Sequence, residues 1–156
     1  MTAPVRFALA VVCAAACTAQ PAAAGSCYPT HTDLPNPNYR PGAPVRTRLG
    51  KGHILHGFVR SDACRPIAHA RIEVYQADAD GRYSTPPSWR GRATLYSRAD
   101  GSYRFEAPVP GFYSAEGRHI HLHVSAPRYD ELDATYVLKN GETSAHLDLV
   151  LYLHGH

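Results

Sequence analysis

One methionine, one tryptophan and four phenylalanines are all that 156 residues contain, and charged side chains make up only 19%. So low a charge density, beside 44% hydrophobic residues, excludes a disordered chain. Neither sign of charge is concentrated. Sixteen Lys and Arg stand against 13 Asp and Glu, and the basic residues are scattered, so nothing tracks a phosphate backbone and nucleic acid is not an expected partner. Helical periodicity beyond two turns is missing as well, and 12 Gly and 13 Pro punctuate the chain, which disfavours a helix bundle. Internal repeats, low-complexity tracts and a second domain are also lacking. Tyrosine and histidine are plentiful instead, ten of each, and both can ligate metals.

The one sustained apolar run lies at the start. Arg6 precedes Phe7 to Ala16, small residues lead to Ala22-Ala23-Ala24, and the pattern predicts a signal peptide over residues 1–24, cleaved near Ala24. The run is shorter and richer in alanine than a membrane span of about 20 apolar residues. The expected location is periplasmic or secreted, without a stable membrane anchor. Cleavage removes Cys13 and Cys17 and leaves Cys27 and Cys64, and an even pair in an exported chain predicts a disulfide.

Residues 25–52 carry Pro29, Pro35, Pro37, Pro41 and Pro44 without periodicity, which predicts an extended segment lying across the domain surface. Residues 53–156 change to short alternating runs: Ile54 to Val59, His69 to Gln76, Arg92 to Ser97, Ser102 to Phe105, about Arg118 to Ala126, and His146 to Leu151. Asp100-Gly101 predicts a hairpin between the third and fourth runs, and Asn140-Gly141 another between Val137-Leu138 and the last. The expected fold is all-β, a single-domain antiparallel β-sandwich. His53, His56 and His69 read as ordinary surface or hydrogen-bonded residues, and Asp148 as structural.

Arg118-His119-Ile120-His121-Leu122-His123-Val124 is the most informative stretch. On a strand, alternate residues share a face, so the three histidines point one way while Ile120, Leu122 and Val124 point into the core. His-X-His suits a metal site, and it equally suits a polar strand face in water.

The surrounding motifs are Gly57-Phe58-Val59, Cys64-Arg65-Pro66-Ile67, Glu73-Val74-Tyr75-Gln76-Ala77-Asp78 followed by Gly81-Arg82-Tyr83, Asp100-Gly101-Ser102-Tyr103-Arg104-Phe105, Pro110-Gly111-Phe112-Tyr113, and Arg118-His119-Ile120-His121. In this order, with Tyr75 where a Trp is usual, they resemble the intradiol ring-cleavage dioxygenases, non-haem ferric enzymes that open catechols between the two hydroxyls. Cys27-Tyr28-Pro29-Thr30 and Pro41 to Arg46 are similar to that family's N-terminal segment, so the resemblance covers about residues 27–151. It implies Fe(III) held by Tyr83, Tyr113, His119 and His121, with an aromatic diol and O2 as reactants. It further implies that Tyr113 is displaced to act as a base and that Arg118 stabilises charge developing on the ring. Arg118 directly precedes His119, where the family leaves two residues between. Keeping the Arg spacing would make His121 and His123 the ligands instead. A Gln that the family carries near Ala134-Thr135-Tyr136 is absent here.

Two other readings stay open on these residues. Several of the same motifs resemble carboxypeptidase regulatory-like domains, non-catalytic β-sandwich modules that carry no metal. A divalent-metal binder could use His119, His121 and His123 with His154 and His156, which leaves the tyrosines unexplained. Convergence of Tyr83 and Tyr113 with the histidines separates the enzyme from both.

Overall fold

Alternation decides which face of each strand is buried. In a computed structural model, which describes residues 27–155, β1 (His53–Ser61) buries every second residue. The leader read over residues 1–24 and His156 lie outside the described residues. Further strands are β2 (Arg71–Tyr75), β3 (Arg92–Tyr96), β4 (Ser102–Ala107), β5 (His119–Ser125), β6 (Leu132–Val137), β7 (Ser144–His146) and β8 (Leu149–Leu151). One sheet runs β4-β1-β7 with β8 also on β1, and the other runs β3-β2-β5-β6. Leu55, Val59 and Phe105 from the first sheet meet Ile72, Leu95, Ile120, Leu122 and Val124 from the second in one core. The all-β sandwich is therefore as expected, with β7 and β8 parallel to β1 and the other pairings antiparallel. Among the described residues no helix is long and apolar enough to cross a membrane.

Both expected hairpins are corrected. Asp100-Gly101 and Asn140-Gly141 do reverse the chain, but β3 and β4 lie in opposite sheets, as do β6 and β7. Turn chemistry fixes the reversal and leaves the pairing partner to the core: β4 joins β1, and Val59 N–H donates to Gly101 O (2.8 Å). The expected last strand is broken in two at Leu147-Asp148. There Leu147 N–H donates to His56 O (2.8 Å), and the Asp148 carboxylate accepts from Phe58 N–H (2.9 Å), which is structural work as expected. The close approach needs Gly57, where a Cβ would lie 2.0 Å from Leu147 O. Strand β6 was not foreseen beyond its last residue, because Asp133 and Ala134 are weak strand formers. His53 is also a correction. It is fully buried with neither ring nitrogen hydrogen-bonded, and its nearest charge is Glu142 at 3.9 Å.

The N-terminal segment crosses the outer face of the second sheet. A Cys27–Cys64 disulfide anchors its start, as expected. Asp33 N–H donates to Asp133 O (2.7 Å), Val45 bridges to Thr94, and Arg48 reaches Glu106 of the other sheet. Its central fastening is Glu73, a carboxylate buried in β2. Glu73 accepts both Arg71 guanidinium nitrogens (2.6 and 2.9 Å), the Tyr39 hydroxyl (2.6 Å) and Gly42 N–H (2.9 Å).

Two predictions follow from these buried groups. Glu73→Ala leaves the segment without its charged anchor and is expected to cost about 3 kcal/mol in urea unfolding, with faster proteolysis between residues 30 and 50. Burial holds the His53 imidazole below its ordinary pKa of 6.5. The unfolded chain therefore takes up a proton at this position as pH falls through 6.5 while the folded chain resists, so stability falls with acidification. In His53→Leu, urea midpoints measured between pH 7 and 5 are expected to decline less.

Candidate metal centre

Strand β5 turns Ile120, Leu122 and Val124 into the core, so His119, His121 and His123 share the opposite face. That face is not open to water: all three imidazoles are buried. The ring centroids of His119 and His121 lie 4.6 Å apart. Tyr83 reaches them from the loop after β2, its hydroxyl donating to His119 Nε2 at 2.9 Å. Tyr113, from the loop after β4, lies edge-on to Tyr83 with centroids 5.0 Å apart, and 6.1 Å from the His119 ring. Tyr83, Tyr113, His119 and His121 thus form one cluster at one end of the sheet.

Two glycines bring the tyrosine loops together. A Cβ on Gly81, which has φ +75°, would lie 2.0 Å from Phe112 O, and one on Gly111 would lie 2.4 Å from Ala79 O. The loops therefore touch backbone to backbone two residues before each tyrosine, and Gly111 N–H donates to Asp78 O (2.8 Å). The Asp78 carboxylate in turn accepts from Asp80 and Arg82 N–H (both 3.0 Å), bracing the turn that carries Tyr83.

Strand register supplies His121 and His123 with partners, and the preceding backbone supplies His119. His121 lies opposite Thr135 and Tyr75, and His123 opposite Asp133 and Glu73. His119 Nδ1 donates to Gly117 O (3.2 Å) and His121 Nδ1 to Thr135 Oγ1 (2.9 Å), so both Nε2 atoms are lone-pair donors. Burial, then the neighbouring His119, pushes His121 down to about pKa 4, which keeps it a neutral potential ligand at pH 7. The Tyr75 ring stacks on His121 at 4.8 Å. Burial, then the Glu116 and Tyr113 charges, pushes the Tyr83 hydroxyl well above its ordinary pKa of 10.0. Tyr83 is thus a neutral phenol unless a cation offsets that cost.

His123 is engaged elsewhere. Its Nδ1 donates to Asp133 (2.9 Å), Glu131 lies 3.8 Å from its Nε2, and the Tyr39 ring packs on it at 4.4 Å. His154 is paired with Asp130. Arg118, expected to face the reacting ring, lays its guanidinium over Phe112 at 4.6 Å.

Two site residues were missed from sequence. Glu116 ends a single 3₁₀ turn, Ser114–Glu116, and its carboxylate comes 3.5 Å from His119 Nε2. Glu116, His119 and His121 offer ligand atoms all within 4.8 Å of one another. Asn36, in the N-terminal segment, donates its amide N–H to His121 Nε2 at 3.0 Å. Glu116 is close in sequence to His119 and so was findable; Asn36 is 85 residues from His121, and no local pattern links the two. A cavity of about 370 Å³ opens beside His121, lined by Asp33, Leu34, Asn36, Tyr75, Glu116 and Asp133 among others.

Two phenols and two imidazoles, all hard or borderline donors, suit an oxophilic transition-metal ion. The two Nε2 atoms and the Tyr83 hydroxyl are the atoms such an ion would engage, in place of the Asn36 amide on His121 and the Tyr83 proton on His119.

No family model matches the chain. It is 33% identical over 137 residues to 6-chlorohydroxyquinol 1,2-dioxygenase of Cupriavidus pinatubonensis, covering 73% of this chain and 49% of that protein. It is 30% identical over 134 residues to catechol 1,2-dioxygenase 2 of Acinetobacter lwoffii, covering 66% and 49%. The chain thus spans about half the length of these curated relatives. Among solved structures, it is similar to the dioxygenase domain of a dioxygenase–carbohydrate-binding protein fusion from Streptomyces sp. SirexAA-E, with TM-score 0.72 and 25% identity over 81% of this chain and 99% of that one.

Loss of the Thr135 hydroxyl frees the His121 ring to rotate. Thr135→Val is expected to weaken metal binding about tenfold in chelator competition, while thermal unfolding of the metal-free protein changes little.

Proposed function

Because the chain belongs to the intradiol ring-cleavage dioxygenase family, we propose that it is an exported Fe(III) enzyme that opens a catechol-type ring between its hydroxyls with O2. The observation carrying this reading is the convergence of Tyr83 and Tyr113 on the His119–His121 pair, with the Tyr83 hydroxyl 2.9 Å from His119 Nε2. Neither a regulatory-like module nor a plain histidine site accounts for two tyrosines in that place. Export is supported by the apolar leader at residues 1–24 and by the Cys27–Cys64 disulfide, a bond favoured in oxidising compartments.

Tyr83, Tyr113, His119 and His121 would hold the ion. Bound there, ferric iron supplies Lewis-acid activation of the diol toward O2. The residues do the rest. His119 and His121 are oriented through Gly117 O and Thr135 Oγ1. Tyr113 would be the base that takes up a diol proton, while Tyr83, whose hydroxyl reaches His119 Nε2, would stay in place. Tyr75, stacked on His121, borders the cavity in which an aromatic ring can be received. The N-terminal segment, with Asn36 on His121, keeps bulk water from the imidazoles. Arg118 is the nearest guanidinium in sequence and would have to leave Phe112 to stabilise charge on the ring.

Iron-loaded protein is expected to show a tyrosinate-to-iron absorption band that moves when catechol is added, with O2 uptake and formation of a muconic-type dicarboxylate. Tyr83→Phe should lose most of the band and at least about a hundredfold in turnover. An unchanged band and rate in Tyr83→Phe, or wild-type protein that takes up no iron, would reject the assignment.

A further inference from the structure

The cavity beside His121 has an unusual balance of charge. Asp33, Glu116 and Asp133 all line it, and among the described residues no Lys or Arg does. The cations nearby in the fold are committed elsewhere. Arg71 is held by Glu73, Arg92 lies over the Tyr75 ring and reaches Ser84, and Arg118 lies over Phe112. His123 partners Asp133 and the exposed His31 ring lies 3.8 Å from Asp33, while the Glu116 and Asp33 side chains stay substantially exposed at 59% and 42%. Leu34, Tyr75, Ala134 and Val137 give the cavity an apolar and aromatic wall, and the neutral polar groups of Asn36, His121 and Thr135 complete the lining. Leu34 and Val137 are themselves exposed at the mouth. A volume of about 370 Å³ falls within the small-molecule range of roughly 300–1,000 Å³, leaving room for a side chain on a single ring.

We propose that this cavity selects the substrate by charge: catechols that are neutral or carry an ammonium side chain are accepted, and catechols carrying a carboxylate are rejected, through Asp33, Glu116 and Asp133. The inference rests on the ring-cleavage reading and names its substrate class. An apolar wall receives the ring, and three carboxylates set the sign of what the ring bears. A carboxylate on the ring's side chain meets like charges with no lysine or arginine in the lining to offset them, and an ammonium meets attraction. Because two of the acids are exposed, the discrimination is modest and sensitive to salt.

The test uses full-length, iron-loaded protein without O2 and reads binding by calorimetry, independently of turnover. Three probes share one ring: catechol, 4-(2-aminoethyl)catechol and 4-(2-carboxyethyl)catechol. The aminoethyl probe is expected to bind about fivefold more tightly than the carboxyethyl probe at low salt, and the gap should shrink in about 0.5 M salt. Asp33→Asn and Glu116→Gln should each narrow it. Equal binding, or tighter binding of the carboxyethyl probe, overturns the inference and leaves ring cleavage standing. Failure of all three probes to bind overturns the ring-cleavage reading and the inference with it.

Discussion

A single buried carboxylate holds the site together. Glu73 lies at the centre of the second sheet, and an unpaired charge there would cost several kcal/mol. Arg71 offsets the charge from the same strand, but Tyr39 and Gly42, which complete its hydrogen bonds, belong to the N-terminal segment. The charge is thus satisfied only when the segment lies across the sheet. Once it does, Tyr39 packs on His123 and Asn36 reaches His121. A histidine face that strand alternation alone would leave in water becomes an enclosed one.

The same alternation makes β5 serve two purposes. One face fills the sandwich core with Ile120, Leu122 and Val124; the other presents the imidazoles. Neighbouring strands complete the second face by register alone, because a residue opposite on an antiparallel strand is within side-chain reach. Thr135 falls to His121 and Asp133 to His123 in this way. The pairing separates the roles of the three histidines: His119 and His121 keep inward lone pairs, while His123 is tied to carboxylates and a tyrosine ring. This geometry favours the pair His119 and His121 over His121 and His123 in the proposed centre.

Much of this was legible in the sequence, for physical reasons that also mark where legibility ended. Period-two runs gave the sandwich and the inward and outward faces of β5, because alternation is a local property. Tyr83 and Tyr113 came from resemblance rather than periodicity; nothing near either residue says that two glycine-mediated loop contacts bring them to the histidines. The Asp100-Gly101 and Asn140-Gly141 turns encode reversals but not hairpins, since a turn cannot tell its strands which sheet to join. Asn36 and the cavity's Asp33 depend on a segment whose path is set by Glu73, a contact more than thirty residues away in sequence. The burial of His53 without partners follows from the β1 register, which its sequence neighbours do not reveal.

The electrostatics of the proposed centre complete the picture. Burial drives His121 and Tyr83 toward their neutral forms from opposite directions, one losing its proton easily and the other keeping it. The assembled pocket therefore carries little charge of its own on these two groups, and folding does not have to bury an uncompensated ion there. A cation entering the cluster reverses the balance for Tyr83, since the charge that made its phenolate costly is then neutralised. Phenolate formation and ion binding become one linked event, which releases protons and tightens as pH rises. A weak site in acid and a strong one near neutrality is what this arrangement favours. The acids at the neighbouring mouth, which lie in contact with water, add a general attraction for cations without having to be buried themselves.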